Sequence, residues 1–207
     1  MQAKFIADVL KNRNNAHIME RWDALNLIDG WLVAGCLFQT VWNVLSGHPP
    51  DSKIKDYDFF YFDPSDLSEA AESAVQHHVE MVLEDLGITV EVANQARVHC
   101  WYEEHFGYPY APLSSAKEGI SRFLIPGTCV GINACEVYAP NGLHLMYEGT
   151  LTMNPLTPHE ALFIEKAASY QQRWPWLNIT HVPAQHRPTH STQTYEKREP
   201  IQSKQLG

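Results

Sequence analysis

A run of four aromatic residues, Phe59 to Phe62, constrains the fold of this 207-residue chain more than any other feature. Such a run is typical of a buried strand, yet Asp56 and Asp58 open it on either side of Tyr57. Residues two apart on a strand share a face, so both carboxylates are predicted to point the same way. Their repulsion in a partly dry site is costly unless a cation lies between them. The stretch therefore predicts a strand that begins at a cation site, with a solvated strand end as the alternative.

The composition restricts the class of protein. The chain is 44% hydrophobic and 19% charged, and its 6 Trp, 9 Tyr and 8 Phe residues can fill one sizeable core. The formal net charge of −9 argues against non-specific nucleic-acid binding, although a local basic patch could still bind a polyanion. No apolar stretch approaches the length of a bilayer span, and the N-terminus does not resemble a cleavable leader. We therefore expect a cytoplasmic protein without a membrane partner.

The cysteines and histidines give a weaker signal. The four cysteines form no CxxC pair, so we expect reduced thiols in the core rather than disulfides. A zinc site is a competing interpretation, but the spacing of its candidate ligands matches no familiar pattern. Those candidates are His77, His78, His99, Cys100 and His105.

Alternating helical and strand patterns predict an α+β (α/β-like) fold with a mixed sheet flanked by helices. We expect one domain over residues 1–182 and a disordered tail over 183–207, where little is apolar. The long central helix is predicted to begin with a capping box of Asp66 and Glu69 and to end at Gly87. Helices are expected over 4–12, 15–27, 36–47, 66–86, 94–107, 114–124, 143–149 and 158–173, and strands over 31–35, 56–62, 88–93, 128–134 and 135–140.

A third acid, Glu91, belongs to the same argument. It is the one charged residue of the strand predicted over 88–93, and it lies on the face opposite Val90 and Val92. If this strand lies beside the strand over 56–62, Glu91 completes a cluster of three carboxylates. A hard divalent ion such as Mg²⁺ prefers oxygen ligands of this kind. The exposed face of an edge strand remains the alternative for Glu91.

The order of these features resembles the polymerase-β-like nucleotidyltransferase superfamily, in which a strand, a glycine turn, a helix, a DxD strand and a later acidic strand follow one another. More particularly, the chain resembles a mostly bacterial nucleotidyltransferase-like family over about residues 20–177. The matching stretches are Ala34-Gly35, Thr40 to Asn43, Asp56 to Asp63, Glu91 to Trp101, Tyr108 to Ala116, Asn154-Pro155, Phe163, Lys166 and Arg173 to Pro175.

The resemblance implies a reaction: transfer of a nucleoside monophosphate from an NTP to an acceptor hydroxyl, with release of pyrophosphate. It implies Mg²⁺ or Mn²⁺ as cofactor, held by three catalytic acids, Asp56, Asp58 and Glu91. The substrates are an NTP and an acceptor whose class stays open between a small molecule, a protein side chain and an RNA end.

The resemblance also implies nucleotide contacts. The backbone amides of Gly35 and Cys36 would meet the phosphates at a helix N-terminus. The cation candidates for the phosphates, each with a solvated helix face as the alternative, are Arg97, Lys117, Arg122 and Lys166. Asn94 is expected to contact the base or ribose, or to cap a helix.

The chain departs from the superfamily at one position, because Cys36 stands where the superfamily has a serine that helps to hold the triphosphate. A thiol is a poor hydrogen-bond donor. The competing function is therefore a catalytically degenerate fold that binds a nucleotide or a partner without turnover.

Overall fold

The computed structural model describes residues 1–180, and it confirms the predicted α+β architecture. The predicted tail over 183–207 lies outside the described residues. Short 3₁₀ turns occur at Glu84–Leu86, Gln95–Cys100 and Pro126–Thr128. The helices are α1 (Gln2–Val9), α2 (Arg13–Glu20), α3 (Trp22–Leu25), α4 (Gly35–Leu45), α5 (Glu69–Leu83), α6 (Tyr102–Phe106), α7 (Ala116–Ser121), α8 (His144–Glu148) and α9 (Glu160–Arg173). The strands are β1 (Trp31–Val33), β2 (Tyr57–Tyr61), β3 (Val90–Asn94), β4 (Gly131–Ile132), β5 (Val137–Tyr138), β6 (Thr150–Leu151) and β7 (Asn178–Ile179).

Five strands form one mixed sheet in the order β3-β2-β1-β4-β5. β1 is antiparallel to both β2 and β4, and β4 and β5 form an antiparallel pair. β2 and β3 are parallel, and α5 provides the crossover that parallel neighbours require. β6 and β7 form a separate parallel pair.

The side chains of β2 alternate between two cores. Tyr57, Phe59 and Tyr61 are almost completely buried in the main core, to which α1, α4, α5 and α9 also contribute. Phe60 points to the other face of the sheet and packs with Phe123 in a smaller core beneath α7. Each large apolar side chain removed from water contributes about 1.5–3 kcal/mol, so the aromatic run supports both faces of the sheet.

The start of α5 differs from the predicted capping box. Ser68 caps this helix, because its hydroxyl oxygen accepts a hydrogen bond from the backbone amide of Ala71 at 3.2 Å. Asp66 instead accepts from the backbone amide of Ser68 at 2.8 Å, which fixes the turn before the helix. Gly87 does end this region, in the left-handed conformation with φ 61°.

α5 lies along β3, the outer strand of the sheet, and a side chain of the helix contacts the strand backbone. Gln76 donates from Nε2 to the carbonyl oxygen of Val90 at 2.8 Å. Its Oε1 accepts from the backbone amide of Val92 at 2.7 Å. These two hydrogen bonds fix the position of β3 along the helix.

Two further predictions need correction. The helix expected over 15–27 is divided at Arg21, where φ is −106° and ψ is 9°, so α2 and α3 are separate. The four cysteines are free, but only Cys36 and Cys129 are buried. Cys100 ends a surface 3₁₀ turn and Cys135 lies between β4 and β5, so both are exposed rather than in the core. No helix within residues 1–180 is long and apolar enough to cross a membrane.

Candidate active site

The register of the sheet brings two of the predicted acids together. Asp58 on β2 is the pairing partner of Glu91 on β3, and on its other side it pairs with Val33 of β1. Asp56 precedes β2 by one residue and lines the same cleft as the other two acids. The predicted adjacency of the two acidic strands is therefore confirmed.

The cleft that these acids line has a volume of about 670 Å³, which is within the usual range for small-molecule sites. α9 contributes Lys166, Tyr170 and Arg173 to its lining, and the segment before β2 contributes Lys53 and Lys55. The cleft thus combines acids with several cations. Its apolar lining includes Phe60, Ala93, Phe106, Phe123, Leu124 and Leu162.

A sharp turn joins β1 to α4 at the edge of the cleft. Ala34 has φ 60° and ψ −134°, a conformation that favours glycine and costs about 1–3 kcal/mol in other residues. Its carbonyl oxygen accepts from the amides of Leu37 at 3.0 Å and Phe38 at 3.3 Å, which holds the turn. A Cβ at Gly35 would lie 2.7 Å from Nε2 of Gln39, so a larger residue there would displace the end of that side chain. The amides of Gly35 and Cys36 precede these bonds and lie at the positive end of the helix dipole.

The electrostatics of the cleft are dominated by the acids. Burial raises the pKa of Asp58 well above its usual range, and the charges of Asp56 and Glu91 raise it further, with Lys166 opposing them. Burial lowers the pKa of Lys166 to about 8, although Asp58 and Asp56 favour its protonated form. The ammonium group therefore compensates only part of the negative charge.

The chemistry of the three acids fits a divalent cation, since they offer hard oxygen donors and repel one another. Within residues 1–180, however, no three His, Cys, Asp or Glu side chains are arranged to hold a metal ion. Asp56, Asp58 and Glu91 share the cleft without being gathered around one point, so an ion would have to draw them together.

Cys36 does not present its side chain to the cleft. It is completely buried, and its Sγ donates to the carbonyl oxygen of Val33 at 3.3 Å. Burial raises the pKa of this thiol, and the charge of Asp58 adds to the effect. The thiol of Cys36 is therefore not available to a ligand in the cleft, which Ala34 and Gly35 line instead.

Arg97 and Asn94 do not line the cleft, in contrast to the interpretation of both as nucleotide contacts. The guanidinium group of Arg97 pairs with Glu72, and its Nε donates to the carbonyl oxygen of Leu67 at 2.8 Å. Asn94 caps the 3₁₀ turn that follows it and also bonds the backbone of Asp63, accepting at 3.1 Å and donating at 2.8 Å. Both residues fix the chain around the start of α5. Lys166 alone of the predicted polar side chains for the nucleotide lies in the cleft.

Several cleft residues were not predicted as site residues. Arg173 donates to Oε1 of Gln39 at 2.7 Å, which links α9 to the residue that packs against Gly35. Arg173 belongs to the stretches that carry the family resemblance, and Lys53 and Lys55 directly precede the paired aspartates. Basic residues next to the acids were the signal that could have found the lysines.

Comparison with known proteins agrees with this geometry. A sequence family described as "Nucleotidyltransferase" matches residues 20–179. Among solved structures, one titled "The NMR structure of the protein reveals a CCA-adding enzyme head domain" has a similar fold. It aligns with a TM-score of 0.63 and 24% identity, covering 81% of this chain and 89% of its own. No curated protein matches the chain. Since the matched range includes the turn, the three acids and α9, the chain belongs to the nucleotidyltransferase family.

Proposed function

We propose that the protein transfers a nucleoside monophosphate from an NTP to an acceptor hydroxyl and releases pyrophosphate, with Mg²⁺ or Mn²⁺ as cofactor. One observation carries the proposal: Asp58 and Glu91 are paired on adjacent strands at the cleft that the Gly35 turn also lines. A nucleotide with its bound metal could therefore contact the acids through the metal and the backbone amides through its phosphates.

The phosphates bind at the turn and along α9. The amides at the start of α4, where Gly35 lines the cleft, donate to phosphate oxygens, because the helix dipole favours negative charge there. Lys166 contributes a shielded ammonium group in the same cleft, and Lys53, Lys55 and Arg173 add further positive charge. These four cations offset the charge of a triphosphate, which the acids alone would repel.

The acids hold the cofactor and accept the proton. Asp56, Asp58 and Glu91 are the residues that would bind the ions. A bound divalent ion neutralises phosphate charge and lowers the pKa of a hydroxyl group. The acceptor oxygen forms a bond to the α-phosphorus while the bond from that phosphorus to the bridging oxygen breaks, and pyrophosphate leaves with that electron pair. Glu91 takes the proton from the acceptor hydroxyl.

The acceptor belongs to a class of molecule whose binding does not require an extended, positively charged protein surface. The net charge of −9 favours a small molecule or a protein side chain over an RNA end. All three classes are present in a cell extract, which makes an extract the appropriate first source of acceptor.

The test is a transfer assay with each of the four α-labelled NTPs, Mg²⁺ or Mn²⁺, and extract. We expect a labelled product with the wild type and with Asp23→Asn, a matched change of an exposed carboxylate on α3. We expect Asp58→Asn to reduce the product by about 100-fold or more, because it removes a charged ligand. Equal labelling by Asp58→Asn and Asp23→Asn would overturn the proposal.

Binding without turnover is the second candidate, and the position of Cys36 favours it. The side chain that replaces the superfamily serine is turned into the core and gives nothing to a triphosphate. For this candidate, calorimetry would show NTP binding that depends on Lys166, while no labelled product forms with any acceptor class.

A further inference from the structure

A corner between α1 and α2, formed by residues 9–15, contacts both the turn before α4 and the strand β2 that carries Asp58. It precedes the range 20–179 that matches the nucleotidyltransferase family. Its side chains Asn12 and Asn15 are completely buried. Neither lines the cleft, so both act from behind it.

The first contact is to the turn. Asn15 donates from Nδ2 to the carbonyl oxygen of Cys36 at 2.9 Å and to that of Val9 at 3.0 Å. The hydroxyl of Thr40 donates to the same Cys36 oxygen at 2.7 Å and lies 3.2 Å from Nδ2 of Asn12, which donates to it. The second residue of α4 is thus tied to the end of α1 through buried hydrogen bonds.

The second contact is to the strand that carries the aspartates. Tyr57 lies between Asp56 and Asp58 and points to the opposite face of the sheet, where it is 3% exposed. Its hydroxyl oxygen accepts from Nδ2 of Asn14 at 2.9 Å and from Nδ2 of Asn12 at 3.2 Å. One corner of the chain therefore holds the turn and the acidic strand at the same time.

Asn15 supplies two hydrogen bonds to the backbone, but one of its own polar atoms is left without a partner among the described residues. Oδ1 of Asn15 is buried and has no hydrogen-bond partner among the described residues. A buried polar atom without a partner is unfavourable, and an apolar side chain of similar size would avoid it. The two donor bonds of Asn15 are what an apolar residue could not supply.

We propose that Asn12 and Asn15 are positioning residues that fix the distance between the Gly35 turn and the carboxylates of Asp56 and Asp58. Phosphate bound at the turn and ions bound at the acids belong to one substrate complex, so this distance controls alignment at the α-phosphorus. A small misplacement of reacting groups reduces turnover strongly. The inference rests on the proposed function for its catalytic part, and on the contacts alone for its structural part.

The test compares Asn15→Ala and Tyr57→Phe with Tyr147→Phe. The hydroxyl of Tyr147 donates to Oδ2 of Asp8 at 2.9 Å, so the control deletes a hydroxyl that anchors α1 without contacting the turn or the acidic strand. Amide hydrogen exchange is measured in the full chain over 33–38 and 57–60. We expect exchange in both segments to accelerate by about tenfold or more in Asn15→Ala and Tyr57→Phe, and not in the control.

A merely structural role predicts a different pattern. Exchange would then accelerate in all protected segments in proportion to the loss of global stability, and the control would behave like the other variants. That pattern, or unchanged exchange at the turn, would overturn the inference.

Kinetics provide the second arm of the test. We expect kcat to fall by about tenfold or more in Asn15→Ala, with KM for the NTP within about twofold of wild type. A rise in KM with unchanged kcat would overturn the positioning role. If the wild type transfers no nucleotide, the proposed function fails, and the exchange measurements still decide whether the corner fixes the turn.

Discussion

Asp8 on α1 and Asp58 on β2 both have restricted access to water, but their neighbours carry opposite charges. Burial would raise the pKa of Asp8, yet hydrogen bonds from Lys11, Lys4 and Tyr147 outweigh it and bring the pKa down to about 2. Burial also raises the pKa of Asp58, and there the neighbouring acids Asp56 and Glu91 raise it further. One carboxylate is stabilised by the chain itself, and the other is destabilised by it.

The difference separates a carboxylate of the fold from a carboxylate of a site. Asp8 has all its compensation within the protein, from two lysines and a tyrosine hydroxyl. Asp58 has partial compensation from Lys166, and its remaining repulsion is relieved by protonation or by a bound cation. A carboxylate surrounded by acids in a cleft is thus a better indication of a ligand site than burial alone.

The largest expected effect is on the compensated carboxylate. Asp8→Asn should lower the free energy of unfolding by about 2 kcal/mol at pH 7, because the lysines lose a charged partner. Denaturant unfolding measures this loss, and Asp23→Asn on the exposed surface should stay within about 0.5 kcal/mol of wild type. A loss at Asp8 no larger than at Asp23 would remove the contrast.

Substitution of Asp58, which is only partly compensated, should change the stability in the opposite direction. Without divalent ions, Asp58→Asn should raise the free energy of unfolding by about 1 kcal/mol, because the repulsion from Asp56 and Glu91 disappears. Mg²⁺ or Mn²⁺ should raise the melting temperature of the wild type and have little effect on the variant. An equal response to metal in both proteins would contradict a carboxylate site.

The pH dependence should distinguish the two aspartates without metal. The folded pKa of Asp8, about 2, is below the ordinary 3.8, so its contribution is complete at higher pH and is lost as the pH falls from about 4 to 2. The folded pKa of Asp58 is raised, so its destabilising effect develops as the pH rises above about 4. The gap between wild type and Asp8→Asn should therefore close at low pH, whereas the gap for Asp58→Asn should open towards neutral pH. Unfolding curves over a pH series measure both differences in the free energy of unfolding. If the two differences changed with pH in the same way, the assignment would be wrong.

The smallest effect on ligand binding is expected at Cys36, which lies behind the turn rather than in the cleft. Cys36→Ser should lower the free energy of unfolding by about 1 kcal/mol, because it buries a hydroxyl in a site shaped for a thiol. Cys129→Ser, at a second buried thiol, is the matched control and should lose a similar amount. Calorimetry should give the same NTP affinity for Cys36→Ser as for wild type, and tighter binding would show that this side chain does reach the phosphates.

Local rules of sequence predicted much of this site. Strand alternation predicted that Asp56 and Asp58 share a face. Glu91 was expected beside them only if the two strands were neighbours, and the parallel pairing of β2 and β3 meets that condition. The glycine at the start of α4 marked the turn, and the family resemblance selected Lys166, which lies in the cleft. These features depend on short-range geometry or on motifs that a single sequence displays.

What could not be predicted depends on distant partners. Arg97 contacts Glu72 and Leu67 on the preceding crossover, and the spacing of residues in the sequence does not predict these partners. Cys36 and Asn94 occupy suitable positions in the chain, but their side chains satisfy backbone groups of Val33 and Asp63 instead of facing the cleft. The direction of a side chain at a turn is set by the tertiary neighbours that offer it a hydrogen bond.

The amide of Gln76 has a consequence for how copies of the protein meet. The outer edge of β3 would otherwise display a backbone donor and acceptor on which a strand of another chain could pair. Gln76 bonds the amide of Val92 and the carbonyl oxygen of Val90, and so takes the place that a neighbouring peptide group would fill. A second chain cannot add a strand there without first displacing this side chain. The strand that carries Glu91 is therefore protected from edge-to-edge pairing with another copy.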